Sequence, residues 1–134
     1  MAGYSATPLP QKLGIRPSSR VYTVDAPKNY QALIAPLPPH AIVVDAFDET
    51  VDIAHAFVTR KSTLVRFLTA AQKTMRRDAA IWVSWPKKAA GVTTDITEDT
   101  IRQVALPLGL VDVKVCAVDE TWSGLKLVIR KENR

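Results

Sequence analysis

Short apolar runs alternate along this chain with stretches whose apolar positions return every third or fourth residue, and proline or glycine punctuates the joins. Thr7 to Leu13 predicts a short helix that stops at Gly14, and Arg16-Pro17-Ser18-Ser19 predicts a turn. Arg20 to Asp25, with β-branched Val21, Thr23 and Val24, predicts a first strand. Pro27 then stands where a first helical residue belongs, before a short helix from Lys28 to Ala35 that buries Tyr30, Leu33 and Ile34. Pro36, Pro38 and Pro39 end that helix. Ala41 to Val44 predicts a brief, buried second strand with Asp45 at its carboxyl end.

Past the acidic Asp48-Glu49 turn, Ile53 to Thr59 predicts a third strand and Lys61 to Arg77 the longest helix. Leu64, Phe67, Leu68, Ala71 and Met75 share one face of it, and Lys73, Arg76 and Arg77 near its end oppose the negative pole of the helix dipole. Ala79 to Trp85 predicts a fourth strand, stopped by Pro86. Asp95-Ile96-Thr97-Glu98 has the spacing of a capping box that opens a helix toward Ala105, closed by Pro107 and Gly109. Val111 to Asp119 and Leu125 to Arg130, joined by Glu120-Thr121-Trp122-Ser123-Gly124, predict an antiparallel hairpin. The order β-α-β-β-α-β-α-β-β implies an α/β, Rossmann-like, mostly parallel sheet with helices on both faces and right-handed crossovers. The hairpin is expected to place one antiparallel strand at an edge.

Composition adds bounds. With 134 residues, 47% of them hydrophobic, the chain is expected to form one domain over 1–134, with 1–19 as its lead-in. No run approaches the ~18 apolar residues of a membrane span, and Met1-Ala2-Gly3-Tyr4-Ser5 lacks the basic and apolar regions of a leader, so a cytoplasmic protein is expected. One cysteine, Cys116, permits no internal disulfide, and two histidines, His40 and His55, give no zinc spacing. The net charge of +5 and pI near 9.6 favour anionic partners. Because that charge is spread along the chain and not gathered in a tract, nucleic acid is not the favoured one.

The segment Lys12-Leu13-Gly14-Ile15-Arg16-Pro17 running into Arg20-Val21-Tyr22-Thr23-Val24-Asp25, the stretch Ile53 to Trp85, and the terminal hairpin resemble class I methyltransferases. A second resemblance is more specific: Gly3-Tyr4-Ser5, Thr7-Pro8-Leu9, Trp85-Pro86-Lys87-Lys88, Thr94-Asp95-Ile96-Thr97-Glu98 and Cys116 through Leu125 are similar to a small bacterial family, a domain of unknown function. The first resemblance implies a pared-down methyltransferase-like fold; the second implies no activity and transfers no catalytic residue. Where methyltransferases have a glycine-rich turn that lets the backbone approach the cofactor, this chain has Asp25-Ala26-Pro27-Lys28-Asn29. That argues against standard S-adenosylmethionine or dinucleotide binding, and no cofactor is expected. Asp45, 20 residues after Asp25, stands where such folds often hold a ribose, or is simply a solvated turn carboxylate.

Ligands of open parallel sheets settle at the carboxyl ends of the strands, where strand order reverses. Under the methyltransferase plan those loops carry Lys28, Arg60, Lys61, Lys87 and Lys88, a positive rim suited to phosphate or carboxylate, or else a solvated basic edge. Trp85 is either a stacking platform or ordinary packing beside Trp82. Asp119, Glu120 and Trp122 crowd the hairpin connection, where paired carboxylates would do acid and base work if burial raised one pKa; the alternative is a turn with its carboxylates in water. Cys116 and His55, inside strands, read as packed residues. No G-x-S-x-G or Walker pattern is present. The leading expectation is a non-catalytic module binding a small anionic ligand through these residues. The alternatives are a divergent methyl or acyl transferase using Asp119 or Glu120, and a nucleic-acid or protein-interaction module. An uncovered outer hairpin strand would also permit a homodimer.

Overall fold

The computed structural model describes residues 7–134. Gly3-Tyr4-Ser5, part of the family resemblance, lies outside them. The chain runs α1 (Leu9–Leu13), β1 (Arg20–Val24), α2 (Tyr30–Leu33), β2 (Ile42–Val44), β3 (Ile53–Phe57), α3 (Lys61–Thr74), β4 (Ala80–Pro86), α4 (Glu98–Ala105), β5 (Leu110–Ala117) and β6 (Trp122–Ile129), with single 3₁₀ turns at Lys88–Ala90, Leu106–Leu108 and Lys131–Asn133. No helix among the described residues is long and apolar enough to cross a membrane.

The six strands form one sheet in the order β2-β1-β3-β4-β6-β5. β2, β1, β3 and β4 are mutually parallel, while β6 is antiparallel to both β4 and β5. The antiparallel strand is therefore interior, and not at the edge as the hairpin signal suggested. Composition accounts for the choice: β6 offers Gly124, Leu125 and Leu127, all buried, whereas β5 alternates through Asp112 and Lys114 and leaves Val113 and Val115 about half exposed. The β5–β6 ladder also slips between Asp112 and Lys114, a bulge of the kind that protects an edge. The other edge is β2, expected to be buried, where Ile42 is 46% exposed.

Two apolar layers cover the sheet. On one face Leu64, Leu68 and Ala71 of α3 and Ile101 and Ala105 of α4 pack on Ala54, Ala56, Ile81, Val83, Trp85, Leu125 and Leu127. Each fully buried leucine there contributes roughly 1.5–3 kcal/mol. On the other face Leu13, Ile15, Tyr30 and Ile34, from α1, α2 and their flanks, meet Val21, Ile53, Phe57, Trp82 and Val118. Trp82 locks this layer in place by donating its indole N–H to Leu13 O at 3.0 Å.

Several boundaries differ from the expectation: β6 begins at Trp122, inside the expected connection Glu120 to Gly124, because Trp122 to Gly124 pair with the end of β4. α3 stops at Thr74, so Arg76 and Arg77 lie beyond it, and Arg76 turns to Asp52 and Asp78 instead of facing the helix dipole. α2 is a single turn, shorter than the expected Lys28 to Ala35. At α4 the capping box joins Thr97 to Thr100, each side chain bonding the other's backbone N–H. Asp95, expected to open that helix, accepts the Lys61 N–H of α3 at 2.7 Å.

Candidate ligand site at the carboxyl ends of the strands

Strand order reverses between β1 and β3, which pair in parallel from Val21↔Ile53 to Val24↔Ala56. The crevice a doubly wound sheet offers to ligands lies beyond this pair. On the β1 side the chain leaves through Asp25, held at φ 55°, into Ala26 and Pro27. This left-handed position favours glycine, and an aspartate tolerates it better than most residues.

The sheet brings the loops after β1, β3 and β4 to one end, and with them Lys28, Arg60, Lys61, Lys87 and Lys88. Lys28, Arg60, Lys61 and Lys88 are exposed, and Lys87 is half-buried with its N–H on Thr121 O at 2.8 Å. At the amino end of α3, the natural anion receptor of this rim, one N–H is already engaged. Asp95 takes the Lys61 N–H, while the Asp95 N–H and the Thr94 hydroxyl both bond Thr59 O, at 3.3 and 2.7 Å.

The remaining sequence candidates separate. Trp85 points to the α3/α4 side, 9% exposed in that core, so its surface is spent on packing. Trp122 is half-buried, packed edge-on against Phe57 with ring centroids 5.1 Å apart. Asp119 Oδ1 accepts the N–H groups of Thr121 and Trp122, both at 2.8 Å, the task of a turn carboxylate, and Glu120 is exposed beside it. Asp45 follows β2 and borders an open cavity of about 670 Å³ with Thr23, Gln31 and Asp48. Cys116 is partly buried, which pushes its thiol pKa up against the opposing pull of Lys12 and Lys114.

Beneath the crevice runs a polar chain that sequence reasoning did not assemble. His55 of β3 and Ser84 of β4 are both 0% exposed; His55 Nε2 lies 2.7 Å from Ser84 Oγ, and His55 Nδ1 lies 2.9 Å from the Tyr30 hydroxyl. Tyr30, His55 and Phe57 stack or meet edge-on around it. Burial drives the histidine pKa from 6.5 to about 3 and raises that of Tyr30, so all three groups are neutral. Ser84 and His55 have the spacing of a nucleophile and its base, yet no substrate reaches a serine with no exposed surface. The chain anchors the single turn of α2, too short to stand alone, to two central strands. The available signal was that His55 and Ser84 are the polar positions in otherwise apolar strand cores.

A second group also went unread: Lys12, Arg16, Lys114 and Lys126, brought together where α1 and its following loop meet β5 and β6. Lys114 and Lys126 are register partners, and Lys12 Nζ reaches Ala117 O at 3.4 Å. Among the described residues no three His, Cys, Asp or Glu side chains gather as a metal would require.

Solved structures share this architecture. An S-adenosylmethionine-dependent methyltransferase from Aquifex aeolicus superimposes with a TM-score of 0.63 at 12% identity, over 90% of this chain and 88% of that one. A ribosomal protein L11 methylase from Lactobacillus delbrueckii subsp. bulgaricus gives 0.59 at 12%, over 90% and 74%. Fibrillarin from Aeropyrum pernix, crystallised with natively bound S-adenosyl-L-methionine, gives 0.57 at 15%, over 94% and 70%. At such identities the likeness establishes the fold, a methyltransferase-like α/β sheet with its C-terminal antiparallel hairpin. No curated protein matches the chain in sequence. A family model described as a protein of unknown function, DUF3052, matches residues 15–131, and the chain belongs to that family.

Proposed function

We propose that this protein is a non-catalytic, Rossmann-like module that binds a small anionic ligand at the carboxyl ends of its strands. The observation that carries the reading is the rim itself. Lys28, Arg60, Lys61 and Lys88 follow three adjacent strands, are exposed, and form no ion pair among the described residues. The side chains equipped for acid–base work support the same reading, because the Ser84–His55 pair is sealed and Asp119 is committed to its turn. S-adenosylmethionine does not fit the β1 turn in the usual way: Asp25, Ala26 and the Pro27 ring stand where close backbone approach needs glycine.

A divergent transferase is the second reading, favoured by the fold and by Asp45 at the end of β2, beside a cavity able to take a hydroxyl-bearing group. One screen separates the two. Thermal melts at low and moderate salt with S-adenosylmethionine, S-adenosylhomocysteine, nucleotides, dinucleotides and coenzyme A report any ligand, since ~100-fold excess over Kd adds about 2.7 kcal/mol. A shift with nucleotides or coenzyme A that Arg60→Gln and Lys61→Gln diminish supports the binding module. A shift with the S-adenosyl compounds moves the transferase to first place, and no shift with any of them defeats both.

A further inference from the structure

Near the amino ends of β3 and β4, away from the crevice, lies a cavity of about 420 Å³ whose walls include Arg16, Ser18, Asp52, Arg76, Asp78 and Lys126. Its acidic end is closed on itself. Arg76 Nη2 holds Asp52 Oδ1 at 2.7 Å and Arg76 Nε holds Asp78, while Asp52 Oδ2 accepts the Arg20 N–H at 2.8 Å.

The other end has cations and no counter-charge. Neither Arg16 nor Lys126 forms an ion pair among the described residues, and Lys114 stands opposite Lys126 across the β5–β6 ladder. The Lys126 ammonium rests against the turn at Gly14, where an added Cβ would lie 3.9 Å from Nζ. Partial burial, then the nearby charges of Lys114 and Arg16, lower the Lys126 pKa. Holding an ammonium partly out of water beside like charges costs free energy that a bound anion would offset.

The loop leaves this task to side chains. Its N–H groups at Gly14, Ile15, Arg16, Ser18 and Ser19 bond Gln11 O, Pro10 O, Ser19 Oγ, Pro39 O and Arg16 O, and Pro17 has none. What remains along the cavity walls is the guanidinium of Arg16, the ammonium of Lys126 with Lys114 opposite it on the next strand, and the Ser18 hydroxyl. A carboxylate brings two oxygens and one charge to such a set, whereas a phosphate brings more oxygens and up to two charges, the better match to two or three cations and a hydroxyl.

We propose that this cavity binds a phosphate-bearing ligand, gripped by Lys126 and Arg16 with Lys114 alongside and Ser18 as a further donor. The site is separate from the carboxyl-end rim and stands whether or not that rim binds anything. Its volume takes a phosphate together with a small attached group.

Titration calorimetry with inorganic pyrophosphate, at low salt and without divalent metal, tests it. The protein is expected to bind, and Lys126→Met and Arg16→Gln are each expected to weaken binding about tenfold, the scale of one charge-assisted contact. Lys73→Gln on the outer face of α3 removes the same charge and is expected to leave affinity unchanged. Arg16 is exposed, so its replacement leaves the fold intact and keeps the test valid if Lys126→Met is unstable. No binding at millimolar pyrophosphate overturns the proposal. So does unchanged affinity in Arg16→Gln, or loss of binding in a Lys61→Gln/Lys88→Gln protein that Arg16→Gln does not reproduce.

Discussion

Lowering the pH from 7.5 to 5 is expected to destabilise this protein through one side chain, His55. The ring is 0% exposed and its neighbours, the Tyr30 and Ser84 hydroxyls, carry no charge. A neutral imidazole serves both, one nitrogen donating and the other accepting. Protonation would keep two hydrogen bonds, since either hydroxyl can accept, but would strand a cation in an apolar layer with no counter-ion. Burial therefore pulls the native pKa from 6.5 to about 3. Between those values the unfolded chain binds a proton that the native state refuses, so stability rises with pH across the window. The contribution is complete above 6.5 and is lost progressively as pH falls toward 3. At about 1.4 kcal/mol per pH unit, reaching pH 5 costs about 2 kcal/mol, or about 7 °C in melting midpoint for a chain of this size.

Urea unfolding at pH 7.5, 6.5, 6 and 5 reads the slope, with His55→Gln as the variant that removes it and His40→Asn, at an exposed positive-φ position, as the variant that keeps it. Stopping at pH 5 avoids the titration of Asp48, Asp78 and Asp112, whose hydrogen bonds to Thr50, Arg76 and Arg102 hold their pKa values low and whose own loss of stability comes at more acid pH. If His55→Gln fails to fold, proton NMR of the native protein answers directly: the His55 ring signals should not move between pH 8 and 5. A native His55 titrating near 6, or a stability flat from pH 7.5 to 5, would refute the reasoning.

Two further substitutions probe the packing that frames the site. Gly124→Ala is expected to destabilise by about 1–2 kcal/mol in urea, because its Cβ would meet Trp82 Cε3 and Val118 Cγ2 at 3.2 Å. Trp82 cannot retreat without stretching its bond to Leu13 O, and an unchanged midpoint would mean that this layer is softer than its hydrogen bond implies. Asp95→Ala removes the carboxylate over the α3 amino end and is expected to cost about 1 kcal/mol. It should at the same time strengthen binding of any anion that uses the Arg60–Lys61 rim, by freeing a backbone donor and removing a competing charge; weaker anion binding in this variant would count against the rim as the site.

The strands and helices could be read from the sequence because each rests on a local signal: apolar spacing for α3, β-branched runs for β1, proline and glycine between them. Placement within the sheet is not local. Whether β5 or β6 lies beside β4 depends on which can be covered on both sides, and that comparison rests on Leu125 and Leu127 against Asp112 and Lys114, a contrast present in the sequence but without meaning until a sheet exists to rank it. That Lys28, Arg60, Lys61 and Lys88 follow strands ending on one side of the sheet was legible for the same reason as the fold, since topology alone carries the ends of β1, β3 and β4 to one place. The polar chain was not, because His55 and Ser84 meet only when β3 and β4 pair with His55 beside Trp82 and Phe57 beside Ser84, and a slip of one residue would turn Ser84 to the opposite face. The Lys114–Lys126 pairing likewise exists only through the slip after Asp112. Groups whose chemistry depends on register are invisible to a reading of periodicity: the sequence marks His55 as packed, but its bond to Ser84, like the facing of Lys114 and Lys126, exists only once the strands are in register.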